Sequence, residues 1–297
     1  MKQYPVQFHT CTNGETLAYR TAGQGEKTLV LIHGNMSSSV HWQTTMEKLE
    51  SHFKMIAVDL RGFGDSSFIN EINSLHDFAL DVIDLLDALH VETCDLLGWS
   101  TGGGIVLEMA ADMKERVSKV VVLDSVGLTG YPMFKKDDNY QPILSELITT
   151  KEEIAQDMVQ VVPVLMAYQN NDKNMMKMIW NAVIYNMNQP SEEDYELYLD
   201  AMMKQRNLVD VDYSLVHFNM TDDHNGVRAG SGRMKDITAD IIILHGEKDL
   251  VVPVSYAHDM KQRFGDQAEL VLFDQAGHSV ITDDLDLFIK TIVEKLS

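Results

Sequence analysis

Short apolar runs alternate with longer amphipathic stretches along most of the chain. Thr28-Leu29-Val30-Leu31-Ile32, Met55-Ile56-Ala57-Val58, the run ending in Leu96-Leu97, Val120 to Leu123, Ile241-Ile242-Ile243-Leu244 and Leu270-Val271-Leu272-Phe273 are almost continuously apolar. Such runs suit strands buried on both faces. Between them lie segments with helical spacing. One carries Trp42, Met46 and Leu49, and another starts at Ser74-Leu75-His76-Asp77, of capping-box form, and carries Phe78, Val82, Leu85, Leu86 and Leu89. Further helices are expected over Gly103 to Met113, from about Val254 to Phe264, and over a last stretch with Leu285, Leu287, Phe288, Ile292 and Leu296. Residues 5 to 20 read instead as two short extended segments around Asn13-Gly14, a dipeptide suited to the positive φ angles of a tight hairpin turn. The pattern predicts an α/β fold: a mostly parallel, doubly wound sheet opened by an antiparallel hairpin.

From Tyr131 to Arg233 the strand pattern stops. Thr150-Lys151-Glu152-Glu153 and Ser191-Glu192-Glu193-Asp194 look like helix starts, and Pro163 and Pro190 look like breaks. Residues 131–233 are therefore expected to form an inserted helical cap, with 1–130 and 234–297 forming the core domain. The cap is rich in methionine: Met158, Met166, Met175, Met176, Met178, Met187, Met202 and Met203, with Trp180 among them. These residues suit the cap's own core and, at the same time, an adaptable apolar wall over a pocket.

Composition narrows the partners. The 297 residues are 45% hydrophobic and 23% charged, as in an ordinary globular protein, and carry a formal net charge of −21. That charge would repel a nucleic-acid backbone or an anionic membrane surface, so neither is an expected partner; the acidic surface is read as a solvated one. The two cysteines, Cys11 and Cys94, do not make a disulfide framework, and Cys94 reads as a small buried hydrophobe. No apolar run reaches the length of a membrane span and no secretory signal opens the chain, so a cytoplasmic location is expected. Asn35-Met36-Ser37 and Asn219-Met220-Thr221 match the glycosylation pattern and are taken as accidental.

Several strand ends carry chemistry. Leu96-Leu97-Gly98-Trp99-Ser100-Thr101-Gly102 runs from an apolar strand through Gly-x-Ser-x-Gly into a helix, the form of a nucleophile elbow. A serine hydroxyl needs an adjacent base, and that base needs a carboxylate to fix its tautomer. Asp249 and His278 each follow a predicted strand, and the order serine, acid, histidine is the one an elbow leads us to expect. Asp124, which also follows a strand directly, is the rival acid. The expected oxyanion donors are the backbone N–H groups of Thr101 and of Asn35 in the loop after Ile32, with Met36 as the alternative to Asn35. The Asn35 amide could reach substrate or bond its own loop, and His33 is expected to brace that loop. Met36, Trp99 and Trp180 are the expected pocket residues. No metal or organic cofactor is needed for this chemistry.

Taken together, His33-Gly34-Asn35-Met36, Asp59-Leu60-Arg61-Gly62-Phe63-Gly64-Asp65-Ser66, Gly98-Trp99-Ser100-Thr101-Gly102, Gly246-Glu247-Lys248-Asp249 with Pro253, and Gly277-His278-Ser279 resemble the α/β-hydrolase superfamily. The resemblance implies that fold and a catalytic role for Ser100, Asp249 and His278. Trp99-Ser100-Thr101-Gly102-Gly103-Gly104 is similar to the elbow of cofactor-free haloperoxidases and related esterases, whereas His33-Gly34-Asn35 is similar to haloalkane dehalogenases. The latter use aspartate where Ser100 stands and usually tryptophan where Thr101 stands, so dehalogenation and epoxide hydrolysis are not expected. The resemblance does not name the substrate, because this fold hosts many chemistries; the function expected is a serine hydrolase acting on carboxylic esters or lactones of small, largely apolar molecules. Its alternatives are a carbon–carbon bond hydrolase, a perhydrolase, or a slow-turnover ligand sensor of the same fold.

Overall fold

The apolar runs become the middle of one eight-stranded sheet. In the computed structural model, which describes residues 1–296, the first part of the chain forms β1 (Gln7–Thr10), β2 (Thr16–Ala22), β3 (Lys27–Ile32), α1 (Gln43–Leu49), β4 (Phe53–Val58), α2 (Leu75–Ala88), β5 (Cys94–Trp99), α3 (Thr101–Met113) and β6 (Val117–Leu123). After residues 124–239 the sheet resumes with β9 (Asp240–Gly246), α9 (Ser255–Phe264), β10 (Ala268–Phe273), α10 (Val280–Asp283) and α11 (Leu285–Leu296). The strand order is β1-β2-β4-β3-β5-β6-β9-β10. β2 runs antiparallel to both β1 and β4, and the remaining pairs are parallel.

The order of the strands locates a site. From β3 the chain steps outward to β4, then returns to place β5 on the other side of β3. Loops leaving β3 and β5 therefore diverge and open a crevice at their carboxyl ends, where open α/β sheets bind ligands. Apolar residues alternate between two cores because successive side chains on a strand point to opposite faces. Val30, Ile32, Leu96, Val120 and Val122 pack with α2, α3 and α9, while Leu29, Leu31, Leu97, Val121 and Leu123 pack with α1 and α11. The Ser74 hydroxyl accepts the Asp77 N–H and the Asp77 carboxylate accepts the Ser74 N–H, so the expected capping box opens α2.

The connection between β1 and β2 is longer than a two-residue turn. It spans five residues, with Cys11 N–H donating to the Glu15 carbonyl at 2.7 Å and Gly14 N–H to the Cys11 carbonyl at 2.9 Å, and Gly14 alone takes positive φ there.

The segment between β6 and β9 departs from the all-helical expectation. It begins with an antiparallel hairpin, β7 (Phe134–Lys136) and β8 (Pro142–Leu147), before α4 (Lys151–Ile154), α5 (Val162–Asn170), α6 (Lys173–Val183), α7 (Glu192–Met202) and α8 (Leu208–His217). Most hairpin residues are exposed. With no buried face, the strands impose no alternation of apolar and polar residues, so the sequence carries no strand signal there. Thr150 and Ser191 cap α4 and α7 as expected, each accepting the N–H three residues on. Pro163 lies in the first turn of α5, where its missing N–H costs nothing, and so begins a helix.

The methionines divide. Met176 and Met202 are fully buried with Trp180 and Tyr195, whereas Met158, Met166, Met178 and Met187 are exposed. The segment is tied to the loop after β4: Asn207 Nδ2 donates to the Arg61 carbonyl at 2.7 Å and the Arg206 N–H to the Gly62 carbonyl at 2.9 Å. Arg61 is itself fixed to α2 by Nε and Nη2 bonds to Asp81 of 2.7 and 2.6 Å.

Candidate active site

The elbow is sterically closed. Ser100, between β5 and α3, has φ 57° and ψ −118°, a conformation that a side chain occupies only at a cost of about 1–3 kcal/mol. A Cβ on Gly98 would collide with the Gly102 carbonyl, one on Gly102 with the Ile32 carbonyl, and one on Gly103 with the Ser125 hydroxyl. The glycines thus let α3 start directly against β3, β5 and the loop after β6. Met36 and Asp124 also have positive φ, 53° and 45°, so backbone strain gathers beyond the ends of β3, β5 and β6.

Ser100, His278 and Asp249 meet at this rim. Ser100 Oγ and His278 Nε2 lie 3.0 Å apart, and His278 Nδ1 is 2.8 Å from Asp249 Oδ2. The other Asp249 oxygen accepts the N–H groups of Val251 and Val252 at 2.7 and 2.9 Å. Burial alone would raise this carboxyl. The facing His278 charge and hydrogen bond, with the Val252 N–H, outweigh it and hold Asp249 below the usual carboxylate range. With Asp249 ionised and accepting at Nδ1, the His278 proton sits on Nδ1 and Nε2 is left to accept from the serine.

Asp124, the rival acid, is fully buried but does not reach His278. Its Oδ1 accepts the Gly246 N–H at 2.8 Å, which joins the ends of β6 and β9. Burial, reinforced by the Asp249 charge, pushes the Asp124 carboxyl well above its usual range. Of the two carboxyl groups, the neighbour of the histidine is the one stabilised as an anion.

The loop after β3 is fixed around His33. Its Nε2 accepts the Leu60 N–H at 3.1 Å, so Nδ1 carries the proton, 2.7 Å from the Gly34 carbonyl. Burial pushes His33 down to about 4, which keeps the ring neutral. Gly34 lies against the serine: a Cβ there would stand 2.9 Å from Ser100 Cβ. Met36 N–H donates to Asn35 Oδ1 at 2.9 Å, so the alternative oxyanion donor is already engaged. The backbone N–H groups of Asn35 and Thr101 have no hydrogen-bond acceptor among the described residues. Both polar atoms of the Asn35 side chain are engaged by protein groups: Oδ1 also accepts Gln205 Nε2 at 2.8 Å, and Nδ2 donates one of its two hydrogens to Asp212 Oδ1 at 3.1 Å.

A cavity of about 140 Å³ opens at Ser100 and His278. That is below the roughly 300–1,000 Å³ of sites for drug-sized ligands. On the sheet side it is lined by Asn35, Met36, Thr101, Val126, Val251 and Val252. Tyr131, Met133, Gln160, Ile184, Leu208, Asp212 and Leu215 close the other side. Met36 is where the sequence placed it, in the pocket wall. Trp99 and Trp180 are not. Trp99 is buried behind the site and donates Nε1–H to the His278 carbonyl at 2.8 Å, so it fixes the backbone that carries the imidazole. Trp180 is fully buried, its ring packed edge-on to Trp99 at 6.2 Å. The expected methionine wall is absent as well, since none of the eight methionines named for it lines the cavity; of the ten in residues 131–233, Met133 alone does. Asp212 was missed by the sequence reading. Its one signal is position: Leu208, Val211 and Leu215 mark the buried stripe of α8, and Asp212, four residues after Leu208, lies at its edge.

The fold and the site define an α/β enzyme architecture with a serine elbow, and comparison with known proteins agrees with it. The sequence profile of the alpha/beta hydrolase fold matches residues 27–285, and the chain belongs to that family. A pimeloyl-[acyl-carrier protein] methyl ester esterase of Aliivibrio fischeri is 28% identical over 281 residues, covering 93% of this chain and 95% of that protein. Among solved structures, an esterase from Exiguobacterium antarcticum superposes with a TM-score of 0.74 at 20% identity, over 98% of both chains. The enol-lactonase from Burkholderia xenovorans LB400 gives a TM-score of 0.73 at 17% identity, over 98% of this chain and 99% of its own.

Proposed function

We propose that the chain is a serine hydrolase that cleaves carboxylic esters or lactones of small, largely apolar molecules through an acyl-enzyme. The observation that carries this reading is the continuous array Ser100–His278–Asp249, with spacings of 3.0 and 2.8 Å, at the mouth of a small apolar cavity. His278 Nε2 takes the hydroxyl proton as Ser100 Oγ attacks the carbonyl carbon, and Asp249 stabilises the imidazolium. The Asn35 and Thr101 N–H groups receive the negative charge that develops on the carbonyl oxygen. His278 then returns its proton to the departing alkoxide, leaving Ser100 acylated. Water enters, gives a proton to His278 and attacks the acyl carbon, and the collapse that frees the carboxylic acid restores Ser100. For a lactone, the freed hydroxyl stays attached to the product.

Relatives named as esterases and an enol-lactonase support the bond type. In this reading residues 131–233 act as a substrate-binding cap, supported by the share of the cavity wall they contribute. It also keeps the cytoplasmic location, with which two buried, unpaired cysteines are in accord. Ser100→Ala is the test. The wild type is expected to hydrolyse short p-nitrophenyl esters and to be labelled by a fluorophosphonate, and the variant to lose both. Undiminished turnover in the variant, or no hydrolysis and no labelling by the wild type, overturns the reading.

A further inference from the structure

Among the described residues Asp212 is the one acidic side chain in the cavity wall, and no lysine or arginine lines the cavity with it. An ionised carboxylate offers about four acceptor positions. Among the described residues Asp212 receives a single hydrogen bond, from Asn35 Nδ2 at 3.1 Å. The surroundings deepen this deficit. Burial, with the Asp157 charge adding to it, pushes the Asp212 carboxyl up to about 7.

Val126, Ile184, Leu208, Leu215, Val251 and Val252 make most of the remaining wall apolar. An under-coordinated carboxylate in such a wall costs stability that a leucine would not. What would complete its coordination is a donor brought by a ligand. A protonated amine supplies both hydrogen bonds and the missing charge, a hydroxyl supplies a hydrogen bond alone, and above about pH 7, where Asp212 is ionised, a carboxylate would meet like charge in a poorly solvated site.

From this geometry we propose that Asp212 is a specificity-determining residue. It receives a hydrogen-bond donor, a protonated amine ahead of a hydroxyl, carried by an otherwise apolar substrate, and it rejects substrates with a carboxylate at that place. The inference names the substrate class of the ester-hydrolase reading and rests on it.

Two chain-matched ester series test it, one varied at the acyl end and one at the alcohol end. Each ends in methyl, hydroxyl, ammonium or carboxylate. In at least one series the wild-type kcat/KM is expected to fall in the order ammonium, hydroxyl, methyl, carboxylate, with about tenfold or more between ammonium and methyl. Asp212→Asn should lower the ammonium-to-carboxylate ratio about 100-fold, and Asp212→Ser serves if the first variant does not fold. Flat values across both series in the wild type, or an unchanged ratio in the variants, overturns the proposal.

Calorimetry separates its failure from that of the ester reading. Ser100→Ala, which needs no turnover, is titrated with a short primary alkylammonium and the matched alkyl carboxylate. Tighter ammonium binding that disappears in the Ser100→Ala/Asp212→Asn double variant upholds the subsite even if no ester is cleaved. Esters cleaved without any terminal preference leave the hydrolase and remove the subsite.

Discussion

The carboxyl rim of the sheet and the segment over it, residues 131–233, are built by different rules. At the rim Ser100 follows β5 directly, and Asn35, Asp249 and His278 lie within five residues of the ends of β3, β9 and β10, so their places are set by short loops anchored to the hydrogen-bonded ladder and by glycines that leave no space for a side chain. Over the rim, short helices and an exposed hairpin are placed by packing, and the same residue type serves opposite ends: Met176 is buried, Met178 is exposed. A rim residue is thus constrained in position and chemistry, and a residue above it mostly in volume. The two regions should accordingly fail in different ways when altered.

The largest expected effect lies at the rim. Asp249→Asn should lower kcat by about 10³–10⁴-fold, because an amide cannot hold the protonated Nδ1 and stabilise the imidazolium as the anion does. Asp124→Asn, which keeps an acceptor for the Gly246 N–H, should cost less than about tenfold. Steady-state kinetics on one ester decides between them, and a greater loss at Asp124 would reverse the assignment of the acid. Above the rim, Trp180→Ala should cost about 3–5 kcal/mol of stability in urea unfolding, as truncation of a fully buried aromatic does. Its hydroxyl-to-methyl preference across an ester series should stay within about twofold. A preference that moves with the fold intact would bring Trp180 back into the pocket.

A smaller effect depends on pH. His33 and His41 are buried and neutral, pushed down to about 4 and about 3 by desolvation. Unfolding lets each take up a proton near its ordinary value of 6.5, so between that value and the folded one the unfolded chain binds more protons. Stability then rises with pH in this window and is lost as pH falls below about 6.5, by up to about 1.4 kcal/mol per pH unit for each ring. His41→Gln should remove one such contribution, visible as a shallower dependence of unfolding free energy between pH 4.5 and 6.5. The smallest effect is expected at Met178→Ala, within about 0.5 kcal/mol and with unchanged turnover, since that side chain is exposed.

How much could be read in advance follows the same division. The sheet was legible because a strand buried on both faces must be apolar throughout, and Ser100, His278 and Asp249 stood out because each lies in the turn or loop that follows a strand. The His33 brace was legible from the loop that starts there. What failed depended on which way an element faces. The 134–147 hairpin has no buried side to pattern it, Trp180 points into packing behind Trp99, and Asp212 acquires its meaning from the rotation of α8 against Asn35. Sequence spacing puts a residue on a helix but does not choose the neighbour it meets.

The two sides of the candidate active site are moored to different parts of the molecule. On the base side, the Trp99 indole, the Val251 and Val252 N–H groups, Asp249 and His278 are bonded to one another, and residues 131–233 reach them from outside, through the Tyr131 hydroxyl on the Val251 carbonyl at 2.9 Å and Asn186 Nδ2 on the Lys248 carbonyl at 3.3 Å. On the opposite side, Asn35 is gripped by Gln205 and Asp212, both from that segment. For anyone redesigning this scaffold, the asymmetry divides the labour: the covering helices can be exchanged with little effect on the Ser100–His278–Asp249 array so long as Tyr131 and Asn186 are kept, but each exchange resets the stance of Asn35. A grafted cover that leaves Asn35 unheld would then yield a protein whose serine still reacts with a phosphonate while its turnover of esters is impaired.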